Sequence, residues 1–558
     1  MASLNPVTGE LGEKRTAHLL RRATWGPTIS SIKNFAVMTA DQALEALFEV
    51  PPAPVPPVDL LTGHSWVDPP SYPAATSSNS EQQDLLNYYL SWHLEQMRTS
   101  GMNIRERLVY FLHTHLPVAW SVVNSSEAVY YQNVLYRHYA FGNFKELFKK
   151  ICLDNAMLRY IDGETNDKDS PNENFAREMF ELYSIGRGPQ IAEGNYTNYT
   201  EDDIKAACRI LSGWRFDSSF TNYNPDTQIP AGKLETELSS DPSPVELATR
   251  HDAGVKTFSA AFQNQVIQPF ELSGGLPTAD AARKEFDDLI EMIFAQQETA
   301  RFIVRKLYRF FVYYKIAAEV ENDIIEPLAS TFRNSGYELK PVIEQLLKSE
   351  HFYDVDNAVT SDDNIGAIIK SPLEIIIGLL RFFNVLMPAA LSDLYHKSYI
   401  GGILNFIRNQ GLDFYEPIDV AGYPPYHQEP SFNRDWITPT SLAYRYHFSY
   451  QLLGNITNPV DYGFKLDIVD WVKNSGNISD PADASVLVQT LTDYMFAIEI
   501  NDNRRDYFLN GVFLENLPAT TWQTEWGLYI SSGDDTVVRE RLETLLSAII
   551  QTPEYQLF

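Results

Sequence analysis

Apolar residues recur along this chain at helical rather than strand spacing. Phe302, Ile303, Leu307, Phe310 and Phe311, with Lys306 among them, follow the i, i+3, i+4, i+7 rule, and so do residues 373–383 after Lys370-Ser371-Pro372. The segment Thr536–Ile550 carries Val538, Leu542, Leu545 and Ile549 on one side and charge on the other. Long alternating runs are scarce, so the predicted class is all-α, a large bundle-like body of many helices. Two breaks divide it. The run Pro51-Pro52-Ala53-Pro54-Val55-Pro56-Pro57 cannot be helical and predicts an extended linker over 51–80. It separates an N-terminal helical pair, about 13–49 within a segment 1–50, from a main helical domain, 81–558. The second break, 215–275, is rich in Ser, Thr, Asn, Asp, Pro and Gly and predicts a long irregular loop or a small β excursion.

Composition narrows the class further. The 558 residues are 44% hydrophobic and 13% aromatic, enough to fill a large core, which excludes wholesale disorder. With 44 Lys+Arg against 73 Asp+Glu the formal charge is −29, which argues against a general binder of nucleic acid or anionic membranes. Two cysteines, Cys152 and Cys208, cannot build a disulfide framework or a Cys-rich zinc site. Polar Thr24, Pro27, Thr28, Ser30 and Ser31 follow Arg21-Arg22 where an export signal would place an apolar run, and no window approaches the ~20 apolar residues of a membrane span. The expectation is a soluble, cytoplasmic chain.

Chemistry concentrates in a few strings. In Arg105–His115, His115 shares a face with Leu108, Phe111 and Leu112, whereas His113 lies about 200° away. Pro117 ends the helix near Leu116, and a regular helix then forbids the two imidazoles from sharing one ion. The string from Ser170 to Gly186 predicts a helix with Ser170 as N-cap, Pro171 at its first position and Glu173 closing a capping box. On it Asn174, Arg177, Glu178 and Glu181 fall on one strip opposite Phe175, Met179 and Leu182. The strip is either a solvated face with an Arg177–Glu181 pair or a polar site in which Arg177 orients one carboxylate and the other acts as acid or base. Thr200 with Asp203 caps a third helix that buries Cys208, and Gly213 releases Trp214 into the long loop. There His251, Asp252, Gly254 and Lys256 gather an imidazole, a carboxylate and an ammonium within six residues. The connection from Asp162 to Glu173 has oxygens at calcium-loop positions, which would suit a divalent cation as cofactor, but Asp167 stands where the glycine belongs.

Taken together, these strings resemble one family. His18-Leu-Leu-Arg-Arg-Ala-Thr-Trp-Gly-Pro-Thr28, Phe111-Leu-His-Thr-His-Leu116, Pro171-Asn-Glu-Asn-Phe-Ala-Arg-Glu178, Tyr199-Thr-Glu through Ser212-Gly-Trp214, His251-Asp252, Lys370-Ser-Pro372, and Pro417 through Arg445 are similar to the bacterial domain-of-unknown-function family numbered 1800. The chain departs from the common pattern at Phe-Leu-His-Thr-His and at Gly422-Tyr423 with Tyr426-His-Gln-Glu429. The resemblance implies no established reaction. It implies a genomic neighbour of sulfatase-like type that carries export signals, and with it a route out of the cytoplasm bound to that partner.

The residues favour a helical enzyme of hydrolase type. Its cleft would join the 174–181 strip to His113 or His115 and the 251–256 loop. Glu178 or Glu181 would be the acid/base, Arg177 the orienting and anion-binding group, and His115 or His251 a second proton carrier or a ligand. Asn174, His113, Asp252, Lys256 and Trp214 would contact substrate. The competing reading is a scaffold or partner subunit whose strip is an internal ion-pair network. Substrate, metal and oligomeric state are not legible.

Overall fold

The structure, a computed structural model, describes residues 2–67, 79–240, 243–358, 362–454 and 460–558. Its N-terminal segment holds three helices, Gly12–Ala23, Ile29–Ala36 and Ala40–Leu47, where periodicity predicted a pair. The extra start is local in origin: Thr28 with Ser31 and Thr39 with Gln42 each form a reciprocal capping box that opens a helix. This segment packs directly on the body. The Val7 amide donates to Lys348 O at 2.9 Å, and Nε2 of His18 lies 2.9 Å from Phe352 O. Gly26, at φ +113°, sits against helix Pro372–Phe382 so closely that a Cβ there would stand 2.9 Å from the Gly378 Cα. The proline run is irregular, as predicted, and is tied down by Arg105 to Pro51 O at 2.9 Å and by Trp92 to Val55 O at 2.7 Å. Residues 68–78 of the expected linker lie outside the described residues.

The body is helix-dominated. Helix Arg105–His115 is buried from Glu106 onward and is surrounded by Asn79–Thr99, Ser126–Tyr139 and Gln297–Phe311. Such a helix must pair its own charges, and Glu106 meets Arg137. The all-α expectation needs one refinement: five two-stranded antiparallel ladders interrupt the helices among the described residues. Four lie between Trp214 and Pro277, in and beside the predicted excursion. The fifth, Gln190–Ala192 with Asn195–Tyr196, turns at Gly194 and was not foreseen.

One helix start is corrected. Ser170 does not cap; it closes a tight turn back onto Asp167, and the helix begins at Asn174, whose amide is accepted by Asn172 Oδ1 at 3.0 Å. Asn172 is itself fixed by Asn166 Oδ1 at 3.0 Å. After Glu178 the helix widens into a π-helix, Met179–Ser184, before Gly186 ends it at φ +72°. Among the described residues no helix is long and apolar enough to cross a membrane.

Candidate active site

Helices Arg105–His115 and Gln297–Phe311 lie side by side and open onto a cleft of about 600 Å³, its mouth included. The cleft is rich in cations. Arg107, Lys306 and Arg309 line it with a single carboxylate, Glu374, which Arg107 already holds at 2.6 Å. Arg309 donates to Tyr314 O at 3.3 Å and to Glu429 at 3.5 Å, and its guanidinium lies 4.8 Å from the centre of the Phe432 ring. Lys306 is half-buried and makes no hydrogen bond or ion pair to any described residue; its nearest notable neighbour is the Phe302 ring, at 5.1 Å. Burial first, and the Arg309 charge second, bring this amine down to about 8.

His115 stands beside Lys306 at the end of its helix. Its Nε2 lies 3.1 Å from the Tyr183 carbonyl, which can only accept, so Nε2 carries the proton and the unpartnered Nδ1 presents a lone pair. Burial, reinforced by Lys306, holds the ring neutral. The π-helical turn makes this contact possible by bringing the Tyr183 carbonyl to the end of helix Arg105–His115.

The loop after Pro417 forms the next wall. Tyr183 donates to Val420 O at 3.0 Å and Tyr160 to Asp419 O at 3.1 Å. Gly422, at φ +102°, passes so near that a Cβ would stand 3.1 Å from Thr114 O. Asp419 accepts from the Ala421 amide at 2.8 Å and lies 3.6 Å from Nε2 of His427. Burial and then the opposing charges of Asp419 and Lys306 act on His427, with a net lowering. The charge of Asp419 on this loop also reaches Glu178. This glutamate is 9% exposed and has no hydrogen bond or ion pair to any described residue. Burial, with Asp419 adding to it and Arg177 and Arg187 opposing, raises its pKa. Lys306, His115, His427, Asp419 and Glu178 thus form one electrostatically linked set.

The structure divides the predicted strip. Arg177 is engaged bidentately by Glu201 at 2.7 and 2.8 Å and lies 3.4 Å from Glu173, so its guanidinium is committed to helix Glu201–Ile210. Glu181 pairs with Arg187 and accepts from Tyr199 at 3.1 Å. Asn174 donates to Ile161 O at 3.4 Å. The cause is the π turn: more residues per turn carry Glu181 off the line that α geometry would give it above Arg177 and Glu178. His113 points away from His115, as the spacing predicted. It packs against Tyr415 with ring centres 4.1 Å apart and planes tilted by 32°, meets the Tyr423 hydroxyl at 3.2 Å, and is lowered by burial to about 3.

The 251–256 string forms a separate closed network. Lys256 pairs with Glu285 and donates to Asp252 O at 2.6 Å, while His251 lies 3.0 Å from Ser212 O and 3.5 Å from Glu285. Arg209 clasps Asp252 at 2.8 and 3.1 Å. Among the described residues no hydrogen bond or ion pair joins this network to the cleft. Trp214 packs on Phe286 and lines a different cavity, under residues 222–234. In the 162–173 connection Asp167 is taken by Arg215 at 3.1 Å and Arg250 at 3.6 Å. Among the described residues no three His, Cys, Asp or Glu side chains gather as metal ligands would.

Sequence reading missed Lys306, Asp419 and His427 as site residues. For Lys306 a signal existed: an ammonium at a position of the Phe302–Phe311 stripe that periodicity reserves for apolar side chains. Asp419 and His427 sit in irregular chain, where spacing carries no geometry. No curated protein and no solved structure matches the chain. The family described as "Protein of unknown function (DUF1800)" matches residues 18–557, and the chain belongs to it.

Proposed function

We propose that this member of the family is a hydrolase-type enzyme acting on a small anionic ester in the Lys306 cleft. One observation carries the reading: the Lys306 amine, without a partner among the described residues, shares a cleft with Arg309 and the His115 ring, and the loop after Pro417, whose Asp419 acts on Glu178, supplies Pro425 and Tyr426 to its wall. In this reading Lys306 and Arg309 hold the anion beside the neutral His115 ring. Glu178 takes a proton from the attacking water as the water oxygen bonds to the electrophilic centre. As the ester bond breaks, Glu178 returns the proton to the leaving oxygen. The closed network of His251, Asp252 and Lys256 is assigned a structural role, and so is Arg177 through Glu201.

The test is turnover of the p-nitrophenyl acetate, phosphate and sulfate esters. An anionic ester is expected to be hydrolysed, with Glu178→Gln folded and reduced in kcat by about 100-fold or more. Lys306→Met is expected to raise KM. Absence of turnover on all three esters, or full activity in folded Glu178→Gln, overturns the assignment.

A further inference from the structure

Beside the cleft lies a cluster of cations for which the fold supplies too few anions. Arg22 is 0%, Arg107 and Arg445 each 1%, and Lys370 8% exposed, and all four feel the charge of Glu374. Glu374 is doubly engaged: one oxygen takes Arg107 at 2.6 Å, and the other takes the Ser371 amide at 2.6 Å in a capping box. Asp354 adds a second negative charge for Arg22 only. Arg22 gives its Nη groups to the carbonyls of Phe311, Val312 and Asn364. Its Nε, the Nε of Arg107, and Nε and Nη2 of Arg445 have no acceptor among the described residues. Burial drives Arg22 down to about 9 and Arg445 to about 10, the direction expected of cations short of counter-charge.

A slot of about 520 Å³, mouth included, lies beside this cluster, is lined by one of its members, Lys370, and shares the Glu374 and Phe558 walls with the cleft. Arg21 and Lys370 line it, and each has one bond in hand: Arg21 to Tyr494 O at 2.8 Å, Lys370 to Tyr555 O at 2.6 Å. Its sides are apolar and aromatic, from Trp25, Phe382 and Tyr555, and the Trp25 Nε1 is buried without an acceptor. Unpaired buried donors and surplus positive charge destabilise a fold unless something completes them. We propose that the slot binds an organic anion, a carboxylate or phosphate monoester on an aromatic or apolar body. Arg21 and Lys370 hold the charged head, and Trp25 and Phe382 flank the body. Residues of the His18–Thr28 and Lys370–Pro372 strings, which the proton chemistry of the cleft leaves unused, build it.

Calorimetric titration of the full chain with phenyl phosphate, inorganic phosphate and phenol tests this. Phenyl phosphate is expected to bind the slot at least tenfold more tightly than phenol. Arg21→Met, at the half-buried mouth, is expected to weaken it at least tenfold. Phe382→Ala is expected to weaken phenyl phosphate several-fold while leaving inorganic phosphate unchanged, and Lys306→Met to leave the slot component intact. Should one of the first two variants fail to fold by circular dichroism, the other decides. Absence of phenyl phosphate binding, unchanged affinity in the folded variants, or complete loss in Lys306→Met each overturns the proposal. Esterase activity plays no part in the readout, so failure of the cleft reading is scored separately.

Discussion

An unpaired ammonium in a half-buried cleft destabilises the fold that carries it, so Lys306 marks function by its cost. Lys306→Met is expected to raise stability by about 1 kcal/mol in urea unfolding, a modest figure because the half-buried amine is partly screened. The same variant should lose anion binding, and a destabilised Lys306→Met would argue for a hidden partner. In the wild type, binding through Lys306 is full below pH 7 and falls as pH rises through about 8. Glu178, raised by burial, sets the rising limb, so kcat/KM should be bell-shaped. A second titration belongs to Asp154, which caps helix Asn155–Tyr160 and is raised by burial to about 7. Between about pH 4 and 7 the folded chain holds a proton there that the unfolded chain has released, so this contribution to stability is lost as pH rises through that window. Asp154→Asn keeps the capping oxygen without the charge. Its stability relative to wild type should therefore improve between pH 5 and 7.5, by at most about 3 kcal/mol, and a difference flat with pH would remove the buried titration. Of these residues Glu178 was named along the chain as an acid/base candidate, whereas Lys306, despite its place in an apolar stripe, and Asp154 were not; ion-pair choices such as Arg177 with Glu201 depend on which helix arrives opposite.

At the scale of the element, legibility followed the range of the interactions. Thr200 with Asp203 forms the cap its spacing predicted, because both partners are local. Ser170 fails as a cap because Asn166 and Asn172 hold the chain in a competing turn. The π-helix Met179–Ser184 was not legible either, since a widened turn leaves the apolar pattern almost unchanged. Yet it decides the site, presenting the Tyr183 carbonyl to His115 and letting the strip diverge. Ser184 is wholly buried, and its hydroxyl donates to Met179 O at 2.6 Å, inside the widened turn. Ser184→Ala should cost about 1 kcal/mol in urea unfolding. It should also perturb activity more than that loss alone explains, because Tyr183 positions both His115 and Val420. Wild-type kinetics in a destabilised Ser184→Ala would detach the π turn from the chemistry.

Across the whole molecule the charge pattern is inverted: an acidic chain of net charge −29 keeps its surplus cations inside, between the N-terminal helices and the body. The proline run suggested a division at residue 51, and hydropathy along the chain cannot show what lies across such a break. Arg22 crosses it, giving its guanidinium to three carbonyls of residues 311, 312 and 364, and Gly26 seats the first helix on Gly378. Removal of residues 1–50 would uncover those buried carbonyls, the floor of the proposed slot and the apolar face that receives Leu19, Leu20 and Trp25. A chain of residues 51–558 is therefore expected to be aggregated or expanded on size exclusion and to lack a cooperative thermal transition. A monomeric, cooperatively melting 51–558 would instead establish the N-terminal helices as a separable unit. The anion slot would then lie at an interface between units rather than inside one.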